Sequence, residues 1–228
     1  MPTFLRQTRS PWILAAAIIA GGSYFFAWWY DVVGTAPLIA WKGAGVTLLA
    51  LWAFVNAKGR DGWLIVGFLA FGALGDVLID AIGLSAGGLT FLISHMFGIA
   101  LYFLNRAKPL WLALPAIILV PLVSYLLPSD SGAAIGVALY ALGLAAMTGG
   151  ALISRFPPIV GVGAMMFVVS DWLIFARLGP LATSIIPDLL VWPLYFAGQV
   201  LIAVGVVGAL AARSGLGGAY GDALHHRL

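Results

Sequence analysis

The sequence predicts an all-α, polytopic membrane protein folded as a bundle of eight transmembrane helices. Of its 228 residues, 63% are hydrophobic and only 8% are charged, whereas soluble domains carry roughly 25% charged residues. The mean hydropathy is +1.08, and apolar residues recur in stretches close to the roughly 20 residues that a membrane-spanning helix needs. These observations exclude an ordinary soluble domain.

Eight stretches fit one span each. In chain order they cover residues 11–30, 36–56, 62–82, 87–105, 109–127, 132–153, 158–177 and 187–212. Arg6 and Arg9 precede the first stretch as in a signal sequence, but that stretch ends in Trp28-Trp29-Tyr30 without a small-residue cleavage site. We therefore expect a single transmembrane domain over residues 1–213 and a flexible cytoplasmic tail over residues 214–228.

The basic residues predict the orientation of the bundle. Those on the amino-terminal side of the membrane are Arg6, Arg9, Lys58, Arg60, Arg106, Lys108, Arg155, Arg213 and Arg227. Of the loop bases, only Arg177 belongs to the opposite side. Because Lys and Arg concentrate in cytoplasmic loops, we expect both termini in the cytoplasm. The location we expect is a bacterial inner membrane. The sequence pI of about 9.4 then reflects topology, and nucleic acid is not an expected partner.

The residues with the highest free-energy cost of insertion into the membrane are the aspartates inside predicted spans. Asp76 and Asp80 lie one helical turn apart in the third span, and Asp171 lies in the seventh. A charged Asp at the centre of a membrane helix costs about 2.5 to 3.5 kcal/mol on insertion scales, so such residues usually face the interior of a bundle. The motifs Gly75-Asp76-x-Leu78-Ile79 and Ser170-Asp171-x-Leu173-Ile174 share a pattern. This weak repeat is either chance or the mark of two four-helix halves in parallel orientation.

Counting along each span from its outer end places four polar side chains at one depth. With a rise of about 1.5 Å per residue, the following lie roughly 9 to 12 Å below the outer boundary: Lys42, Asp76, His95 and Asp171. Asp80 lies nearer the outer mouth. This agreement predicts one buried polar site in the outer half of the bundle.

Two interpretations of that site stay open. In the structural one, the carboxyls are satisfied by hydrogen bonds or by an ion pair with Lys42. In the functional one, two acids share a single lysine at this depth, so one carboxyl lacks a cation. Unequal surroundings of that kind produce an acid and a base in one pocket.

Other chemistry leaves no signature in the sequence. The chain has no Cys, which excludes disulfides and cysteine nucleophiles. Ser170 is a poor nucleophile candidate because no Gly-x-Ser-x-Gly elbow is present. Metal-ligand and phosphate-loop motifs are absent too, so we expect neither a metal nor a cofactor.

Four ordered blocks, in the third, fourth, seventh and eighth predicted spans, match a known pattern. They are Phe71-Gly72-Ala73-Leu74-Gly75-Asp76-Val77-Leu78-Ile79, Gly88-Leu89-Thr90-Phe91-Leu92-Ile93-Ser94-His95, Gly163-Ala164-Met165-Met166-Phe167-Val168-Val169-Ser170-Asp171 and Tyr195-x-x-x-Gln199-x-Leu201-Ile202. Lys42 and Tyr140 also stand at matching positions. On these residues the chain resembles the YhhN-like family of integral membrane proteins, which includes the lysoplasmalogenases.

The resemblance implies an ether hydrolase that cleaves the vinyl ether bond of lysoplasmalogens carrying ethanolamine or choline. The products would be a fatty aldehyde and a glycerophospho-alcohol, with no metal or organic cofactor, and the partners would be the lysophospholipid and the bilayer. The family's catalytic aspartates correspond to Asp76 and Asp171. The supporting or substrate-binding residues expected around them are Lys42, Asp80, His95, Tyr140, Ser170, Tyr195 and Gln199.

A proton-coupled membrane transporter of a small or lipid-like substrate is the competing interpretation. Paired intramembrane acids, a lysine and many glycines also occur along proton pathways. Against a carrier, no predicted span is broken at its midpoint by proline, apart from Pro115 and Pro121 in the fifth. An enzyme would release aldehyde in detergent, whereas a carrier needs a sealed vesicle.

Overall fold

The bundle is built from helices joined by short connections. A computed structural model describes the backbone of residues 8–30 and 33–225, and side chains up to residue 213. Arg6 and Arg227, used above for orientation, lie outside the described residues. The helices are α1 Pro11–Trp29, α2 Thr35–Asn56, α3 Gly59–Ala81, α4 Leu84–Leu104, a 3₁₀ helix Leu110–Ala113, α5 Leu114–Leu126, α6 Ser131–Ile153, α7 Pro158–Ala176 and α8 Ile186–His225.

Local sequence explains several of the helix boundaries. Pro11 and Pro158 each stand in the first turn of a helix, where the missing N–H costs no hydrogen bond. Asp130 caps α6, because its Oδ2 accepts from the backbone N–H of Ala133 at 2.7 Å. Gly83 separates α3 from α4 with a φ of 127°, a conformation that favours glycine.

Within the described part of the chain, seven helices are long and apolar enough to cross a membrane, with the crossing part of α8 being Ile186–Arg213. Large apolar side chains cover the outside of the bundle, among them Ile19 and Leu139 at 70% and 63% exposure, as lipid contact requires. The predicted multi-pass, all-α architecture is therefore confirmed. The predicted fifth span is a shorter apolar helix, Leu110–Leu126.

Contacts between helix ends indicate how this shorter helix runs through the bundle. The end of α4 lies beside the end of α6, where the N–H of Ala107 donates to the Ile153 carbonyl at 2.9 Å. Since α4 and α6 end on one side, the chain between them must return to the other. After that return, the N–H of Ser129 donates to the carbonyl of Leu178, beyond α7, at 2.9 Å. This path supports a fifth crossing by Leu110–Leu126, and the complete set of eight spans stays a prediction.

The end of the bundle at which α1 begins is called the basic end here, because most loop bases lie there. A buried side-chain network ties three helices together at this end. Asn105, only 1% exposed, follows α4. Its amide donates to Asp61 of α3 at 2.8 Å, and its oxygen accepts from Nε of Arg155, before α7, at 2.7 Å. The opposite end, called the cavity end, contains the site residues described below.

Small residues bring α7 and α8 into backbone contact next to that site. A Cβ atom at Gly163 would lie 2.6 Å from the carbonyl oxygen of Gly198, so neither position has room for a side chain. Close approach of this kind stabilises membrane helices, which have no hydrophobic drive to associate. It fixes Asp171, on α7, against the helix that carries Tyr195.

The last helix continues beyond its crossing part. The backbone of α8 is helical to His225. The predicted flexibility of residues 214–228 stays a prediction, since their side chains and residues 226–228 lie outside the described structure. The predicted division into two four-helix halves also stays a prediction.

Candidate functional site

Asp76 is a buried carboxyl held by one neighbouring helix. It lies on α3 with 3% of its surface exposed. Its Oδ2 accepts a hydrogen bond from the hydroxyl of Tyr195 at 2.9 Å, and that hydroxyl accepts from the amide of Gln199 at 3.2 Å. Both partners belong to α8 and lie one turn apart. Among the described residues no cation forms a salt bridge with Asp76.

A glycine one turn before Asp76 makes room for these partners. A Cβ at Gly72 would lie 3.2 Å from Nε2 of Gln199 and 3.5 Å from the Tyr195 hydroxyl. The approach of α8 to α3 therefore depends on this position. The sequence motif contains Gly72, but no role was predicted for this residue. Its position four residues before a buried acid was the signal that could have indicated a packing role.

Asp171 is held by a chain that crosses three helices. It lies on α7 with 5% exposed. Its Oδ2 accepts from the hydroxyl of Tyr140, on α6, at 2.8 Å, and Nε2 of His95, on α4, lies 3.0 Å from the same hydroxyl. Because the tyrosine hydrogen is directed to Asp171, the histidine donates through Nε2 in this arrangement. Here too, no salt bridge to the carboxyl occurs in the described part of the chain.

Ser170 is oriented away from a nucleophilic role. Its hydroxyl donates to the backbone carbonyl of Val191 at 2.9 Å. The bond joins α7 to α8 and leaves the side chain 1% exposed. Ser170 therefore supports the position of its neighbour Asp171.

Aromatic rings connect the two carboxyl clusters. The ring of Phe167 lies edge-on to Tyr195, with centroids 5.1 Å apart, and edge-on to His95, with centroids 5.2 Å apart. Phe91 also contacts both Tyr195 and Phe167, at 5.7 and 5.9 Å. These rings join the Asp76–Tyr195 pair to the Asp171–Tyr140–His95 chain, a part that sequence reasoning did not assign to them. Lys42 pairs with Asp80 instead, at a cavity whose lining includes neither Asp76 nor Asp171.

Lys42 pairs with the aspartate nearest the mouth. Its ammonium lies 2.9 Å from both carboxylate oxygens of Asp80. The ion pair with a deeper aspartate, considered in the structural interpretation, is not formed. The long apolar stem of lysine explains this choice, because it lets the ammonium reach toward the polar end of the helices.

A cavity of about 320 Å³ opens at the cavity end of the bundle, between α1, α2, α3 and α8. Among the described residues, the charged side chains that line it are Lys42, Asp80, Arg177 and Asp188. Nη2 of Arg177, after α7, lies 2.5 Å from the Asp188 carboxylate, on α8. Sequence reasoning used Arg177 only as an outer-loop base and missed its position at the cavity, because loop charges carry no signal of where a chain folds back.

One known protein family matches most of the chain. A family model described as the YhhN family matches residues 37–206, a range that contains every site residue from Lys42 to Gln199. No curated protein shows a significant match to the chain, and no solved structure does.

Proposed function

Because the chain belongs to the YhhN family, we propose that it is a membrane hydrolase that cleaves the vinyl ether bond of lysoplasmalogens. The products are a fatty aldehyde and a glycerophospho-alcohol. One observation carries the proposal: two buried aspartates, each held by a tyrosine hydroxyl and neither forming a salt bridge with another described residue, lie around shared aromatic rings.

The chemistry requires an acid and a base in one water-limited pocket. Protonation of the β-carbon of the vinyl ether consumes the C=C π bond and leaves an oxocarbenium ion. Water adds to its carbon while a carboxylate takes the water proton, which gives a hemiacetal. The hemiacetal then loses the glycerol oxygen as an alcohol and becomes the aldehyde. The overall balance is one vinyl ether and one water converted to one aldehyde and one alcohol.

Asp76 and Asp171 supply the two carboxyls in this scheme. One in the neutral form donates the proton to carbon, and the other, ionised, stabilises the oxocarbenium ion and accepts the proton of water. Tyr195 and Tyr140 orient them by donating to one oxygen each, which leaves the second carboxyl oxygen for the substrate. Phe91 and Phe167 provide apolar surface against the alkenyl chain and restrict the entry of water.

The experiment uses protein purified in detergent with a lysoplasmenylethanolamine in D₂O. Wild-type protein is expected to release aldehyde that carries one deuterium on the carbon next to the carbonyl, because the proton is delivered there. A 1-acyl lysolipid of equal chain length is the control and should yield no aldehyde. Aldehyde without deuterium would contradict protonation at carbon, and no aldehyde at all would contradict the hydrolase.

A proton-coupled transporter is the second candidate. The observation that favours it is the chain from Asp171 through Tyr140 to His95, since such hydrogen-bonded chains occur in membrane proton relays. A carrier would acidify or alkalinise the lumen of sealed vesicles when a lysolipid is added and would release no aldehyde. The hydrolase releases aldehyde in vesicles and detergent alike.

Membrane placement is the last part of the proposal. We place the basic end in the cytoplasm of a bacterial cell, with eight crossings and both termini inside. A carboxy-terminal reporter that folds only in the cytoplasm should then be active. Activity of a periplasm-specific reporter at the same position would reverse the orientation.

A further inference from the structure

We propose that Arg155 and Arg213, at the basic end of the bundle, form a binding site for the phosphate headgroup of an anionic phospholipid. The site lies at the opposite end of the molecule from the cavity and does not rest on the proposed hydrolysis. An anion bound there joins the end of α8 to the connection between α6 and α7.

Two guanidinium groups converge on one amide oxygen at the basic end. Oδ1 of Asn105 lies 2.7 Å from Nε of Arg155 and 3.5 Å from Nη1 of Arg213. In the part of the chain that the structure describes, neither arginine forms a salt bridge with a carboxylate. Neighbouring like charges repel each other, and a neutral amide oxygen does not balance them. A bound oxyanion would supply the missing negative charge to both arginines.

Asn105 separates this arginine pair from Asp61. Its amide nitrogen donates to the Asp61 carboxylate at 2.8 Å, while its oxygen accepts from the arginines. A carboxylate only accepts hydrogen bonds, so this contact fixes which end of the amide faces Asp61. Asp61 also lies 3.5 Å from Nε of Arg60. The carboxylate is therefore engaged on the far side of Asn105 and forms no ion pair with Arg155 or Arg213.

The excess of positive charge at this end holds for the whole sequence. The segments assigned to it carry the nine bases named for the amino-terminal side and two aspartates, Asp61 and Asp222. Asp222 lies on the continuation of α8, nine residues beyond Arg213, which is roughly 13 Å along the helix axis. The aspartates of this end are therefore too few to neutralise its bases, which favours an external anion as the partner.

Neighbouring groups hold both arginines in place. The backbone N–H of Arg155 donates to the Asn105 carbonyl at 2.9 Å. The guanidinium carbon of Arg213 lies 5.4 Å from the centre of the Phe156 ring, a contact that stabilises a cation. Arg155 is exposed and Arg213 is half-buried, so a ligand can reach both. Phosphate oxygens match the planar set of N–H donors on arginine.

The height of the site along the bundle identifies a lipid as the source of the phosphate. Arg213 is the last residue in the crossing part of α8, and Arg155 lies between α6 and α7. Three tryptophans at the same end are exposed, at 69%, 56% and 65% for Trp12, Trp63 and Trp111. Exposed tryptophans of membrane proteins concentrate at the level of the lipid headgroups. Basic pockets between membrane helices at this level bind anionic headgroups.

The test measures thermal unfolding of the purified full-length protein in a non-ionic detergent, followed by tryptophan fluorescence. Dioleoylphosphatidylglycerol is the anionic ligand, and dioleoylphosphatidylcholine, with the same acyl chains and no net charge, is its control. The glycerol lipid should raise the melting temperature by about 5 °C and the choline lipid by less than about 1 °C. Equal shifts, or no shift with the glycerol lipid, would overturn the proposal. Neither lipid contains a vinyl ether, so a failed hydrolase assay leaves this result unaffected.

Arg213→Gln is the decisive variant because it removes one of the two converging charges and leaves Arg155 bonded to Asn105. It should lose about half or more of the lipid-induced shift, measured from its own lipid-free melting temperature. Arg9→Gln is the matched control: it removes the same charge from the same end, and the bonds of Arg9 to Asn56 use its backbone. A full shift in Arg213→Gln, or an equal loss in Arg9→Gln, would refute the assignment. Arg213→Lys keeps the charge and should retain most of the shift, so a complete loss in this variant would also contradict the proposal.

Inorganic phosphate distinguishes a lipid headgroup from a soluble oxyanion. At the concentration used for the glycerol lipid, and at constant ionic strength, it should raise the melting temperature by less than about 1 °C, because it has no acyl chains to bury against the helices. A shift equal to that of the glycerol lipid would identify a soluble oxyanion as the ligand and contradict the lipid assignment.

Discussion

The two aspartates differ in what surrounds them. Asp76 accepts a hydrogen bond from Tyr195, which accepts one from Gln199, and both of these residues belong to α8. The charged cavity begins one turn from Asp76, at Asp80. Asp171 is instead held through Tyr140 and His95, from two other helices, with no charged partner among its hydrogen bonds in the described residues. One carboxyl thus adjoins the mouth of the bundle, and the other belongs to an uncharged network inside it.

Because of this difference, we expect substitutions in the two regions to have different kinetic effects. Changes on the Asp171 side should alter the chemical step and leave lysolipid binding intact. Changes at the cavity near Asp76 should alter substrate binding, and only indirectly the chemistry. Variants that fail to divide in this way would show that the two regions form a single functional unit.

The largest effect is expected from Asp76→Asn and Asp171→Asn. Each should lower kcat by about 10²- to 10⁴-fold, because an amide neither donates a proton to carbon nor accepts one from water. The amide oxygen can still accept the tyrosine hydrogen bond, so both variants should remain folded and monodisperse. Aldehyde release and size-exclusion chromatography provide the measurements. Substantial activity in either variant removes that aspartate from the mechanism.

Tyr140→Phe and Tyr195→Phe come next. Each removes the hydroxyl that orients a carboxyl and should lower kcat roughly 10- to 100-fold, the equivalent of a lost hydrogen bond of about 1.5 to 3 kcal/mol to a charged group. Both should also lower the melting temperature, since Tyr140→Phe leaves Asp171 and His95 without this partner and Tyr195→Phe does the same to Asp76 and Gln199. Steady-state kinetics and thermal unfolding test the pair together. A larger change in KM than in kcat for Tyr140→Phe would contradict the separation of the two regions.

Lys42→Met tests the cavity side. The loss of the ammonium should raise KM about fivefold to tenfold with little change in kcat, because a lysolipid phosphate can contact this cation one turn from Asp76. Lys42→Met also leaves Asp80, whose side chain is 33% exposed, without its cation, so the double variant with Asp80→Asn should recover part of the lost thermal stability. If kcat falls and KM does not change, Lys42 acts on the chemistry of Asp76 instead.

The smallest effect is expected from Ser170→Ala. Its hydroxyl donates to the Val191 carbonyl, and the loss of such a neutral bond costs about 1 kcal/mol of stability. Activity should stay within about twofold of wild type, because nearby Asp171 keeps its tyrosine partner. Loss of all aldehyde release without unfolding would instead indicate a serine nucleophile.

Much of the fold and of the site's composition is readable from the sequence. Apolar stretches of the right length located the helices, because a bilayer imposes that length. The cost of a charge in lipid singled out Asp76 and Asp171. Tyr140, Tyr195 and Gln199 entered through the family resemblance, since a tyrosine or glutamine in a membrane helix carries little signal by itself.

The pairing of side chains was not readable in the same way. Depth counting fixes position along a helix axis but not rotation about it, so it placed Lys42 level with Asp76 and could not show that its ammonium turns to Asp80. The contact of Gly72 with Tyr195 and Gln199 depends on how α8 packs against α3. The pairing of Arg177 with Asp188 depends on how the loop before α8 folds back. These contacts depend on how the helices pack in three dimensions, which the sequence alone does not specify.

Aldehyde release by detergent-purified protein in D₂O tests the central claim most directly, with Asp76→Asn and Asp171→Asn measured in parallel. We expect wild-type protein to convert a lysoplasmenylethanolamine to equal amounts of glycerophosphoethanolamine and aldehyde with a single deuterium beside the carbonyl. Both variants should bind the lipid and release almost none. Aldehyde production at the wild-type rate by either variant, or none by wild-type protein that binds the lipid, would contradict catalysis by the aspartate pair.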